Sequence, residues 1–246
     1  MKNIIVTGGS SGIGEAIIKK FENEKINTIN LDIKKNSHNT YKTNLNKSND
    51  IKKNFLKIQN KFKTIHGLVN CAAITDRGTV LDTSPELFDQ IFAVNTRAPF
   101  FLMQGALKIM IRENIKGSIV NVQSMSAHGG QPFITAYCGS KGALSVLTKN
   151  AAFSVMRKQI RINGLNIGWM DTPGEDRIQK EYHNVSESWL EDAEKNQPFG
   201  RLLKTDEVAR GIAFLCSKES GMMTGSIIDF DQSILGCYEG PPHPSD

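Results

Sequence analysis

Cysteine is scarce in this chain, and what there is lies scattered. Cys71, Cys138, Cys216 and Cys237 stand far apart in 246 residues, none in a Cys-x-x-Cys pair. That excludes a disulfide framework and a thiolate zinc site, no metal is expected, and reduced thiols suit a cytoplasmic protein. Long apolar runs are missing too, so no membrane-spanning segment is expected. The first short run, Ile4-Ile5-Val6, is broken at once by Thr7-Gly8-Gly9. The beginning therefore reads as a folded strand rather than a signal peptide. There is no internal repeat and no low-complexity linker. Nor is charge of one sign concentrated: 30 basic and 25 acidic residues leave a formal net charge of +5. Lys34-Lys35, Lys52-Lys53, Lys57, Lys61 and Lys63 flank asparagine-rich stretches with no interleaved aromatics. They read as solvated helix faces, and no nucleic-acid partner is expected.

What is present suits one α/β domain over residues 1–246, with 39% apolar and 22% charged residues. Short apolar runs alternate with helical stretches. Strands are expected at Asn3 to Thr7, Thr28 to Leu31 (ended by Asp32), Tyr41 to Thr43, Leu68 to Asn70, Gly117 to Val122, Arg161 to Leu165 and Ser226 to Phe230. Helices are expected at Gly14 to Glu24, Ser48 to Phe62, from Ser84-Pro85-Glu86 to about Arg112 through Asn95, Thr135 to about Met156, and from Thr205. Residues 168–200 read as polar and irregular, with a short helix around Ser186 to Lys195, and 239–246 as an irregular tail. This alternation predicts a single Rossmann-type, doubly wound parallel β-sheet flanked by helices. Ligands of such sheets bind at the carboxyl ends of the strands, where the informative polar residues fall.

The run Thr7-Gly8-Gly9-Ser10-Ser11-Gly12-Ile13-Gly14 follows a strand and opens a helix. Gly8 and Gly12 allow close backbone approach to a pyrophosphate, Gly14 allows the helix to pack on the strand, and the helix amides face the phosphates. Asp32, eighteen residues after Gly14, can accept bonds from adenosine ribose hydroxyls and repel a 2′-phosphate. That favours NAD over NADP, with Lys34 and Lys35 as the contrary evidence. Tyr137 and Lys141 are four apart on one helix face. A free tyrosine has a pKa of about 10, so an adjacent ammonium is expected to favour its phenolate. Ser124, thirteen residues before the tyrosine, can donate to a substrate carbonyl oxygen, with Ser126 as the competing choice. Asn95 is intrinsically poor in a helix interior. It either holds a water or marks a kink.

Taken together, these residues resemble the short-chain dehydrogenase/reductase family: the glycine turn, Asp32, Asn70-Cys71-Ala72-Ala73, Asn95, Ser124, Tyr137-(three)-Lys141, and Gly168 with Thr172. The resemblance spans nearly the whole chain. It implies that Tyr137 exchanges the proton, Ser124 orients the carbonyl or alcohol, Lys141 binds the nicotinamide ribose and Asn95 supports a water relay. It also implies a cofactor-binding set of Gly8, Ser10, Ser11, Gly12, Ile13, Gly14, Asp32, Asn44, Leu45, Asn70, Ala72, Tyr137, Lys141, Gly168, Met170 and Thr172, and a homotetramer. Three positions depart from the family pattern: Ala73 stands for a usual glycine, Ile167 for a proline and Asn44 for an aspartate.

The expected activity is oxidation of a secondary alcohol or reduction of a ketone, on a small sugar, sugar acid or polyol. Ser124, Ser126, His128, Gln131, Arg77 and Trp169 are expected to border that substrate, Arg77 by pairing a carboxylate. Two alternatives stay open: an NADP-dependent 3-oxoacyl-thioester or steroid-type reductase, and a non-catalytic dinucleotide-sensing scaffold.

Overall fold

The computed structural model describes residues 1–35, 39–183 and 185–237. The expected irregular tail lies outside the described residues. Among these, seven strands form one parallel sheet in the order β3-β2-β1-β4-β5-β6-β7. They are β1 (Asn3–Thr7), β2 (Asn27–Asp32), β3 (Thr40–Lys42), β4 (Gly67–Asn70), β5 (Ser118–Ser124), β6 (Arg161–Ile167) and β7 (Ile227–Phe230). The doubly wound sheet is as expected. A parallel sheet covered on both faces needs strands that are apolar throughout. Strand β1 shows how: Ile5 enters the core on one face with Ile29 and Leu31, while Ile4 and Val6 enter the other with Ile17 and Phe21.

The first face is covered by α2 (Ser48–Lys61), α4 (Ala98–Arg112) and α5 (Thr135–Val155), the second by α1 (Gly12–Asn23) and α8 (Thr205–Cys216). Strand β1 pairs with β2 on one side and β4 on the other, so the winding reverses there. The reversal leaves a crevice at the carboxyl edge of the sheet.

Four local features differ from the sequence expectation. Helix α1 starts at Gly12 and β5 runs on through Ser124. The long helix expected to Arg112 begins as α3 (Pro85–Phe92), capped by Ser84 Oγ accepting from the Leu87 amide at 3.2 Å. It then widens into a π-helical turn over Ala93–Arg97, which contains Asn95, before α4. The reason is Pro99, which has no N–H to give the Asn95 carbonyl four residues earlier, so the α ladder cannot close there. Finally, the segment expected to be irregular but for a short helix around Ser186 to Lys195 holds that helix, α7 (Trp189–Lys195), and an unexpected one before it, α6 (Pro173–His183). Helix α6 buries only Ile178, so no apolar period announces it. Its start signal was nevertheless in the sequence, because Thr172 caps it, Oγ1 accepting from the Glu175 amide at 3.1 Å.

Candidate active site

The glycine turn sits at the carboxyl end of β1. Gly14 is required by close approach: a Cβ there would lie 2.1 Å from the Gly8 carbonyl oxygen. Gly9, which sequence reasoning passed over, is also crowded, but by side chains: its Cβ would lie 2.2 Å from Ile18 Cδ1 and 2.7 Å from Asn30 Oδ1, and both would have to shift. The turn is held from below by β2. Asn30 Oδ1 accepts from the Gly9 amide at 2.9 Å, and its Nδ2 donates to Ser10 Oγ at 3.1 Å. Asp32, buried at the strand end, accepts from the Ser10 amide at 3.0 Å and the Lys34 amide at 2.9 Å. Thr7 Oγ1 accepts from the amides of Cys71 and Ala72 at 2.9 and 3.0 Å, joining the ends of β1 and β4.

This architecture fits a dinucleotide. Ser11 gives the start of α1 no side-chain cap, leaving helix amides for a phosphate. Asn70 donates to Asn121 Oδ1 at 2.8 Å, while its own Oδ1 is buried without a partner among the described residues. Asn44 is occupied in its own turn, accepting from the Asn46 amide at 2.9 Å. The Leu45 side chain is 6% exposed and packs in the core with Ile51 and Phe55, which leaves its backbone as the part that could face a cofactor.

Ser124, Tyr137 and Lys141 come together on one wall of the crevice. The Ser124 hydroxyl lies beside that of Tyr137 and favours its phenolate. Lys141 Nζ lies 5.6 Å from the Tyr137 ring centre and donates to the Val122 carbonyl at 2.9 Å. Ser126 is not the partner of Tyr137; its amide donates to Ser124 Oγ at 3.1 Å. In the protein alone, without the nicotinium charge, burial pushes Tyr137 up to about 12, outweighing the Ser124 hydroxyl that favours the phenolate. Burial also brings Lys141 down to about 8, against the nearby Cys71 that holds it up. Desolvation penalises the charged form of each.

Asn95 lies in the π-helical turn. Its carboxamide is fully engaged, accepting from the Ile74 amide at 3.0 Å and donating to the Ile74 carbonyl at 2.9 Å and to Ser140 Oγ at 3.1 Å. The side chain clamps the stretch after β4 to α5.

The crevice, about 1130 Å³, runs from Ile13 to the C-terminal segment at Leu235. Ser126, Gln131, Arg77 and Trp169 line it, as do Gly168, Met170 and Thr172. Trp169 Nε1 donates to Glu175 Oε1 at 2.8 Å, which places the indole under α6. His128 is a second correction. It turns away from the crevice to Asp229 Oδ1 at 3.0 Å and Asn166 Nδ2 at 2.9 Å. The short turn Met125–His128 carries the imidazole toward β7. A separate pocket of about 630 Å³ beside α3 and α4 contains none of these residues. Among the described residues no cluster could hold a metal ion, and no helix is long and apolar enough to cross a membrane.

Comparison with known proteins agrees with this geometry. A family model described as enoyl-(acyl carrier protein) reductase matches residues 8–232. The chain is 31% identical to 3-oxoacyl-(acyl-carrier-protein) reductase of Thermotoga maritima, covering 95% of this chain and 98% of that protein. It is 30% identical to L-xylulose reductase of Caenorhabditis elegans, covering 94% of each. Ligand-free aldohexose dehydrogenase of Thermoplasma acidophilum superposes with a TM-score of 0.91 at 28% identity, over 98% of this chain and 97% of that one.

Proposed function

This chain belongs to the short-chain dehydrogenase/reductase family, oxidoreductases that act on CH–OH groups with NAD or NADP, and we propose that it interconverts a secondary alcohol and a ketone on a small sugar, sugar acid or polyol, using NAD. The carrying observation is that Ser124, Tyr137 and Lys141 line one crevice, with the buried Lys141 ammonium at the Tyr137 ring, beside an uncapped helix start. When bound, the nicotinamide accepts or supplies the hydride. In the oxidation direction the carbinol carbon loses a hydride, carrying two electrons, and its hydroxyl loses a proton to Tyr137. Ser124 donates to the substrate oxygen as charge builds on it. With its pKa near 12 in the protein alone, Tyr137 stands protonated at neutral pH. That is the form needed to give a proton to a ketone.

Gly8, Ser10, Ser11, Gly12, Ile13 and Gly14 would hold the pyrophosphate, and Asn70, Ala72, Gly168, Met170 and Thr172 the nicotinamide end. Lys141 would hold the ribose beside Tyr137. Asp32 supports NAD, because a carboxylate at the β2 end repels a 2′-phosphate. A polar rim of Ser126, Gln131 and Arg77 supports a hydroxylated substrate, as do the xylulose reductase and aldohexose dehydrogenase likenesses. The second reading, an NADP-dependent 3-oxoacyl-thioester reductase, is favoured by the Thermotoga relative. A non-catalytic sensor has no use for Asn95, Ser124, Tyr137 and Lys141 together. The proposal extends to a cytoplasmic homotetramer, supported by free cysteines and by Phe101, Val146 and Phe153 exposed on α4 and α5.

The test is kcat/KM with NAD and NADP across sugars, polyols, hydroxy acids, simple secondary alcohols and 3-oxoacyl thioesters. NAD-linked turnover of hydroxylated substrates is expected. A clear NADP preference with thioesters would replace this reading by the second.

A further inference from the structure

We propose that the substrate is an anion, a short hydroxy acid or its oxo acid, and that Arg77 is built to hold its carboxylate. This deepens the dehydrogenase reading above and rests on it for the redox step, in which the carboxylate takes no part.

Arg77 lines the crevice and is braced on three sides. Its Nη1 donates to the Thr75 carbonyl at 3.0 Å, and its Nε donates to His183 Nε2 at 3.3 Å. Its guanidinium carbon lies 5.2 Å from the centre of the Phe133 ring, and that ring meets His183 edge-on at 5.0 Å. These contacts fix the plane of the guanidinium and leave Nη2 with no hydrogen bond among the described residues. A planar fork held in one orientation is what two-point recognition of a carboxylate requires.

The anion is not supplied by the protein. Each carboxylate near this rim is taken by another donor. Asp76, the adjacent residue, accepts from Tyr182 Oη at 3.2 Å. Glu175 accepts from Trp169 Nε1 and from Gln179 Nε2, both at 2.8 Å. Asp231 accepts from the Ser233 amide at 3.2 Å. The other rim arginine, Arg177, has its own partner in Glu181 at 3.3 Å. Among the described residues, none of the ion pairs includes Arg77.

The position is also tied to the chemistry. The residue after Arg77 is stitched to the entry of α5: the Gly78 amide donates to the Phe133 carbonyl at 2.8 Å, and the Thr135 amide donates to the Gly78 carbonyl at 3.2 Å. Tyr137 follows two residues later. The positive charge of Arg77 is felt at the Tyr137 hydroxyl, where it favours the phenolate. An acid bound on Arg77 lies in the same crevice as Tyr137 and Ser124.

Two measurements test this on the intact protein with NAD bound. In the first, short hydroxy acids are compared with their primary amides in the wild type, R77M, R77Q and R77K. The wild type should prefer acids. R77M and R77Q should lower kcat/KM for acids by about 10–100-fold, chiefly through KM, the scale of a hydrogen bond to a charged group. Amides should lose only what the Arg77 charge contributes at Tyr137, a clearly smaller factor than acids lose, and R77K, which keeps the charge, should recover part of the loss. A parallel fall for acids and amides would reduce Arg77 to a brace for α6 and overturn the proposal. The second measurement is calorimetric titration with succinate and with its diamide. Succinate should bind the wild type and not R77M, and the diamide should bind neither. Succinate binding without turnover of any substrate would uphold the subsite and sink the dehydrogenase reading. Turnover of polyols with no succinate binding and no preference for acids would do the reverse.

Discussion

On one side of the crevice the glycine turn is locked by backbone and buried groups: Gly14 against the Gly8 carbonyl, Gly9 against Asn30, and Thr7 bridging to the amides after β4. On the other side, α6 and α7 are held by side chains meeting side chains near the surface. Trp169 bonds Glu175, Trp189 bonds Asp176 at 2.8 Å, and Lys180 reaches Glu187 at 2.7 Å. Helix α7 has only a small core of its own, Trp189 and Ala193 with Leu202, apart from the two that sandwich the sheet, and α6 buries only Ile178. Few buried contacts mean a low free energy of local opening. The cofactor side is thus rigid and intolerant of an added methyl group, while the substrate side can move or be rebuilt with the sheet intact.

The largest expected effect lies where the two sides meet. Tyr137→Phe should lower turnover by at least about 100-fold, the usual scale for general acid–base catalysis. Binding of reduced cofactor, followed by its fluorescence, should persist. Near-normal turnover in folded Tyr137→Phe protein would remove Tyr137 from the proton path.

Next comes Lys141, 3% exposed and brought down to about 8 from an ordinary value of 10.5. Between those values the folded protein binds fewer protons than the unfolded chain, so this group makes stability rise with pH. Its burial cost is fully present below about pH 8 and is relieved by about pH 10.5. Lys141→Met should therefore lose activity and yet melt higher than the wild type at pH 7, by up to about 3 kcal/mol. The gap should narrow at pH 9.5. A variant that melts lower at pH 7 would show that the bond to the Val122 carbonyl outweighs desolvation.

Gly14→Ala sharpens the contrast from the rigid side. With a Cβ 2.1 Å from the Gly8 carbonyl oxygen, the helix or the turn must shift. The expected loss is about 1–3 kcal/mol, or roughly 2–12 °C in Tm, with weaker cofactor binding. The smallest effect belongs to the other side. Lys180→Ala removes the contacts to Asp176 and Glu187, whose side chains are 45% and 88% exposed, and should change stability by less than about 0.5 kcal/mol. If it cost as much as Gly14→Ala by denaturant unfolding, the two sides would not differ in the way described.

The alternation of apolar runs, the glycine turn, Asp32 at a strand end and the Tyr137–Lys141 spacing were legible without a structure. Each depends on local sequence: backbone close approach demands glycine, burial on both faces demands an unbroken apolar strand, and one helical turn sets a four-residue spacing. Other features arise between residues far apart in the chain, so only the tertiary structure decided them. Asn30 supports Gly9 from the next strand. Asn95 is consumed by Ile74 and Ser140, and His128 is drawn to Asp229, a hundred and one residues away. The same holds for the direction of the tyrosine titration. Sequence shows the ammonium one turn away, but desolvation depends on everything packed around Tyr137 and Lys141, and in this fold it raises the one and lowers the other.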